Sequence, residues 1–119
     1  MNVAVVGASN NPERYSHQAV LLLQEKGHAP YPVHPTIDEV AGLAVYEAVN
    51  DIPAPIDTVS VYVSGRNQTA LADDLLKSGV RRVIFNPGAE NAEVAGRLRE
   101  AGVEVVEACT LVLLRTGQF

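Results

Sequence analysis

Three helical stretches in this chain each end on a glycine, and each is followed within a few residues by a short, nearly continuous apolar run. The stretches span 16–26, 68–78 and 92–101 and stop at Gly27, Gly79 and Gly102. Glycine just past the last turn is the common end of a helix. Apolar runs at 3–6, 29–33, 58–63, 82–85 and 103–106 predict five strands. None alternates strictly between apolar and polar residues, so these are strands covered on both faces, as in a parallel sheet. Strands and helices alternating in this way call for right-handed crossovers between parallel neighbours. The predicted fold is α/β, a three-layer arrangement around a mainly parallel five-stranded sheet.

A length of 119 residues suits a single domain over 1–119 and is enough to bury a core. One stretch breaks the rhythm: between His34 and Ile56, Pro35, Gly42, Pro53 and Pro55 interrupt any long helix. A short helix fits around 46–50 and an edge segment around 43–45, and the tail after Cys109 predicts a short helix before Gly117.

Charge narrows the choice of partner. The formal net charge is −5, whereas a nucleic-acid partner needs a basic face to displace counterions. The lone Cys109 forms no internal disulfide, and no signal peptide precedes the first strand, which points to the cytoplasm. No apolar run approaches the roughly 20 residues that cross a bilayer. A small-molecule ligand is the expectation, with neither nucleic acid nor membrane as partner; self-pairing into a homodimer stays open.

The turn after the first strand carries the strongest ligand signal. Gly7-Ala8-Ser9 is followed by Asn10, Asn11 and Arg14 and then by a helix. A glycine lets the backbone approach a phosphate, the helix N-terminus offers unpaired N–H groups and a positive dipole end, and the planar fork of Arg14 matches two phosphate oxygens at once. The run lacks the further glycines of a dinucleotide fingerprint, and a strand-to-helix turn can use one glycine for shape alone. The second strand ends in Tyr31-Pro32-Val33-His34-Pro35, with Asp38 and Glu39 beyond a proline. A dinucleotide enzyme keeps an acid at that tip for the ribose hydroxyls, so its absence weakens NAD, and the absence of an arginine cluster weakens NADP. His34, partly protonated, could donate to a ribose phosphate or merely cap the strand.

At the third strand, Val63 and Ser64 stand at the carboxyl edge of the sheet, where backbone atoms could face an adenine or a linker, and Arg66 could reach a phosphate. Turn chemistry alone accounts for Asn86, Pro87 and Gly88. No catalytic set emerges. Cys109 has no base beside it in sequence and reads as a buried thiol, while His17, His28 and His34 lack metal-ligand spacing. Asp73 and Asp74 read as water-facing charges on different helix faces.

Taken together, these residues resemble the small bacterial CoA-binding proteins of Rossmann-like fold, related to the CoA-binding domain of the succinyl-CoA ligase alpha subunit. The matching stretches are Val5-Val-Gly-Ala-Ser-Asn-Asn-Pro-Glu-Arg-Tyr-Ser16, Tyr31-Pro-Val-His-Pro35, Gly42 with Val45-Tyr46, Asp51-Ile-Pro53, Ile56-Asp57, Gly79-Val80 and Ala101-Gly-Val103 followed by Cys109. The resemblance implies that Gly7, Ala8, Ser9 and Arg14 hold the CoA diphosphate. It also implies that His34 and Pro35 border the adenosine end and that Val63 and Ser64 flank the ligand. The chain departs from the family pattern at His34, usually asparagine, and at Thr36, often lysine. It carries none of the phosphohistidine and grasp parts of a ligase. The resemblance therefore implies a non-enzymatic binder of CoA or acyl-CoA, with a sensor or regulatory role. The alternatives are an NAD(P)-binding oxidoreductase or redox-sensing domain and a Rossmann-type interaction module without ligand.

Overall fold

A computed structural model describes residues 1–119. The chain runs β1 (Asn2–Val6), α1 (Tyr15–Glu25), β2 (Ala29–Val33), β3 (Glu39–Val40), β4 (Leu43–Ala44), β5 (Thr58–Val61), α2 (Leu71–Ser78), β6 (Arg82–Phe85), α3 (Ala92–Glu100), β7 (Glu104–Glu107) and α4 (Thr110–Arg115). Five strands form one sheet in the order β2-β1-β5-β6-β7, every pair parallel, and β3 and β4 make a separate antiparallel hairpin.

Alternation along β1 shows how the layers arise, because successive side chains of a strand leave on opposite faces. Ala4 and Val6 pack with Val59, Val61, Val83 and Phe85 of the sheet and with Ala72, Leu75, Val94 and Leu98 of α2 and α3. Val3 and Val5 pack on the other side with Val20 and Leu23 of α1, Val40 of the hairpin and Leu114 of α4. The sheet is thus sandwiched between α2–α3 and α1–α4, with the Rossmann-like, three-layer order expected. From β1 the chain moves outward to β2, then returns across β1 to β5, so the crossover direction reverses between β1 and β5. Ligands of open α/β folds bind at the carboxyl ends of strands at such a reversal.

Several boundaries differ from expectation for visible reasons. The strand expected over 58–63 ends at Val61, although the Tyr62 N–H still donates to Val6 O at 2.8 Å. The helix expected from residue 68 begins at Leu71, because the Gln68 side chain is buried and its amide donates to Val63 O at 3.1 Å and Ala89 O at 2.5 Å. A 3-10 turn over Gly65–Asn67 fills the gap. The edge segment around 43–45 is one arm of the hairpin, which turns through Ala41 and Gly42, both at positive φ. Where a short helix was expected around 46–50, a 3-10 turn forms at Val49–Asp51.

Asp74 corrects another expectation. Its carboxylate is not a solvated charge but accepts from the backbone N–H groups of Val49 (2.8 Å) and Asn50 (3.0 Å), fastening that turn to α2. Asp73 pairs with Arg97 at 2.6 Å on the surface, and the Arg97 guanidinium holds its carboxyl below the usual range. No helix is long and apolar enough to cross a membrane.

Candidate functional site

The carboxyl ends of β1, β2 and β5 open into a cleft of about 850 Å³. Gly7, Ala8, Ser9 and Arg14 line it from the loop after β1, His34 and Pro35 from the tip of β2, and Val63 from the segment after β5. Ser64 stands apart from these. It is exposed and outside the cleft wall, because the chain there already bends into the Gly65–Asn67 turn. Arg66 belongs to a separate depression of about 190 Å³ beside Gln68 and Arg97.

Gly7 makes the loop feasible in two ways. It sits at φ +84°, and a Cβ there would lie 3.0 Å from Val63 N and 3.1 Å from Tyr62 C. Only glycine accepts both that conformation and that approach. The N–H groups of Gly7 and Ala8 donate to Val33 O at 3.0 and 3.3 Å, tying the loop to β2. Side chains then shape the turn: Ser9 Oγ accepts from Asn11 N–H and Asn11 Oδ1 from Glu13 N–H, each at 3.0 Å. His17, 7% exposed on the first turn of α1, places Nδ1 2.8 Å from Ser9 O. A carbonyl only accepts, so Nδ1 carries the proton and the ring clamps the loop to the helix.

The helix itself supplies the anion-binding element. α1 has no side-chain cap at Arg14 and no acid in its first turn. Its leading N–H groups therefore lack protein side-chain partners, and the positive dipole end stands where Arg14, Tyr15 and Ser16 line the cleft. One guanidinium, one uncapped helix terminus and one glycine turn meet at a single place.

The tip of β2 is chemically distinct. His34 Nδ1 accepts from the N–H groups of Thr36 (3.1 Å) and Ile37 (3.3 Å). A nitrogen that accepts carries no proton, so in this arrangement Nε2 is the ring nitrogen left to donate. Beside it stands a carboxylate that the sequence did not place there. Tyr46 bridges Val33 in parallel register, and His34 N–H donates to Tyr46 O at 2.9 Å, which brings the next residue, Glu47, into the cleft wall. β2 itself ends without an acid, as read, but the irregular crossover delivers one.

Tyr62 closes the apolar side of the cleft with its hydroxyl buried near the hydroxyls of Ser60 and Thr110, which bond to each other at 2.7 Å and leave it without a well-formed hydrogen bond of its own. Burial pushes its pKa up to about 12, so it remains a neutral phenol. Tyr62→Phe removes a hydroxyl that has given up water without a well-formed hydrogen bond in return, and should raise stability by about 1 kcal/mol in urea denaturation. A loss of that size would reveal a hydrogen bond.

Asn86 is more than a turn residue. Buried below Pro87, it donates to Ser60 Oγ and Val61 O, each at 2.9 Å, and accepts from Thr110 N–H at 2.7 Å. Cys109, expected to be buried, is half-buried at the N-cap of α4 and outside the cleft.

Comparison with known proteins bears on what the cleft holds. Residues 1–115 match a family described as a CoA binding domain. The chain is 33% identical over 104 residues to the uncharacterised protein YneT of Bacillus subtilis, covering 87% of this chain and 77% of that one. It is 30% identical over 84 residues to the alpha subunit of ADP-forming acetate–CoA ligase II from Pyrococcus furiosus, covering 70% of this chain but 18% of the subunit. Among solved structures, a hypothetical protein from Pyrococcus horikoshii superposes with a TM-score of 0.92 at 32% identity, over 96% of this chain and 81% of that chain. A dinucleotide-forming acetyl-coenzyme A synthetase from Ca. Korarchaeum cryptofilum, in complex with phosphate and ADP, superposes with a TM-score of 0.77 at 29% identity, over 90% of this chain and 25% of that one.

Proposed function

The chain belongs to the CoA-binding domain family, and from that premise we propose that it binds CoA or acyl-CoA in the cleft above Gly7 to Arg14 without transforming it, as a sensor or regulatory partner. The observation that carries this reading is the meeting of the Gly7 turn, the uncapped N-terminus of α1 and Arg14 in one cleft at the strand reversal. Together they offer a diphosphate backbone N–H donors, a positive dipole end and a bidentate cation. A volume of about 850 Å³ is in the range of sites that enclose a nucleotide-sized ligand.

Three features support the absence of chemistry. Ser9 Oγ accepts from the Asn11 N–H, and the nearby His17 ring directs Nδ1 to the Ser9 carbonyl rather than to Oγ. His34 spends its acceptor nitrogen on the backbone, and Cys109 stands outside the cleft. The ligase relatives are much longer, so their activity does not transfer with the matched segment.

Glu47 favours a second reading, NAD, because a carboxylate near the second strand suits free ribose hydroxyls. Calorimetric titration with CoA, acetyl-CoA, NAD, NADH and NADP separates the two; binding of a nicotinamide nucleotide with no CoA species bound would overturn the CoA reading. Arg14→Ala should weaken CoA binding by about 1.5–3 kcal/mol through loss of charge-assisted hydrogen bonds. Unchanged affinity would remove Arg14 from the site.

A further inference from the structure

One end of the cleft carries Arg14 with Glu13 beside it, and the other carries Glu47 with no cation. Arg14 is the single cationic side chain among its lining residues, and it stands at the start of α1, where the diphosphate belongs. In open α/β nucleotide sites, the adenosine ribose lies toward the tip of the neighbouring strand, here β2, and the chemistry of that tip decides whether a phosphorylated ribose is accepted. A carboxylate there takes hydrogen bonds from free hydroxyls; a cation there takes a phosphate.

At the tip of β2 the groups able to hold a phosphate are already committed. The backbone N–H groups of Thr36 and Ile37, which would otherwise make an anion-binding corner, both point to His34 Nδ1. That leaves His34 a single ring nitrogen, Nε2, to offer a ligand. Glu47 adds a negative charge beside it, held there by the Val33–Tyr46 bridge. A carboxylate accepts from ribose hydroxyls and repels a phosphate monoester, and no lysine or arginine of the cleft offsets it at this end.

We propose that this site reads the adenosine ribose through free hydroxyls, so that the 3′-phosphate of CoA contributes no affinity and dephospho-CoA binds at least as tightly as CoA. The inference rests on the CoA reading above and names the ribose chemistry within it. Wild-type protein is titrated calorimetrically with CoA and with dephospho-CoA at one ionic strength, and phosphorus NMR follows each phosphate of CoA. The expected result is a Kd for dephospho-CoA equal to or below that for CoA, with the diphosphate resonances shifted on binding and the 3′-phosphate resonance unmoved. Glu47→Gln, at an exposed position, should then improve CoA severalfold relative to dephospho-CoA. Tighter binding of CoA than of dephospho-CoA by about tenfold or more would overturn the inference while leaving the CoA reading intact. Binding of neither compound would overturn the CoA reading, and the inference with it.

Discussion

Replacing Gly7 with alanine is expected to lower stability by about 2–4 kcal/mol and to weaken ligand binding more than tenfold in the protein that stays folded. Two costs combine. At φ +84° an L-residue is in left-handed backbone, which costs roughly 1–2 kcal/mol. The added Cβ also lies 3.0 Å from Val63 N and 3.1 Å from Val63 Cγ2. Backbone cannot step aside as a flexible side chain can, and the Val63 segment is held by the Tyr62 N–H to Val6 O bond at 2.8 Å. The loop would shift instead, straining the Gly7 and Ala8 N–H bonds to Val33 O that tie it to β2 and displacing the cleft wall. Gly27→Ala is the matched control: its φ is +85°, but nothing lies within 4 Å of the new Cβ. That variant should lose only the conformational part, about 1 kcal/mol, and keep full affinity. Equal losses in urea denaturation of the two variants would show that close approach at Gly7 plays no part.

Gly7 was legible because its signal is local. An apolar strand, a glycine and a helix follow one another in sequence, and adjacent residues stay adjacent in the fold. The same holds for the strands at 29–33 and 82–85 and for the glycine stops, each set by neighbours a few positions away. Glu47 was not legible, since it reaches the cleft through a pairing of Tyr46 with Val33 across an irregular connection of two-residue strands. His17 gave no sign of its bond to Ser9 because histidine on the buried side of a helix looks the same whether it packs or clamps. Gln68 delays the start of the helix that its neighbours favour by spending its amide on two carbonyls, one of them at Ala89 after β6. Period and propensity describe each segment, but these side chains act between segments. His34 shows how far one contact reaches: read alone either ring nitrogen is open to a ligand, but two backbone N–H groups on Nδ1 leave only Nε2.

Asn86→Ala should destabilise the fold by about 3 kcal/mol, comparable to losing a large core side chain, although the residue is small and polar. The reason is that Asn86 joins three elements at a point without water. Its amide N–H groups reach Ser60 Oγ and Val61 O on β5, and its Oδ1 receives the first N–H of α4 at Thr110, 24 residues on. Truncation leaves Thr110 N–H buried without an acceptor and frees α4 from the sheet. Because α4 packs on α1, ligand affinity should fall as well, by less than for Arg14→Ala, since no group touching the ligand is lost. Asn86→Asp separates packing from hydrogen bonding. It keeps the acceptor for Thr110 N–H but sets an anion against Val61 O at a site 1% exposed. Burial and the facing carbonyl raise the pKa of the introduced carboxyl in the folded state above its unfolded value. The folded state then binds the extra proton, so this variant is least stable above that raised pKa and recovers as pH falls toward the ordinary carboxylate range. Denaturation midpoints for Asn86→Asp that rise between neutral pH and about pH 5, against a flatter profile for Asn86→Ala, would identify the donor bonds to β5 as the part that matters. Parallel profiles would show that the introduced carboxyl is not held against Val61 O, and would take the donor bonds to β5 out of the account.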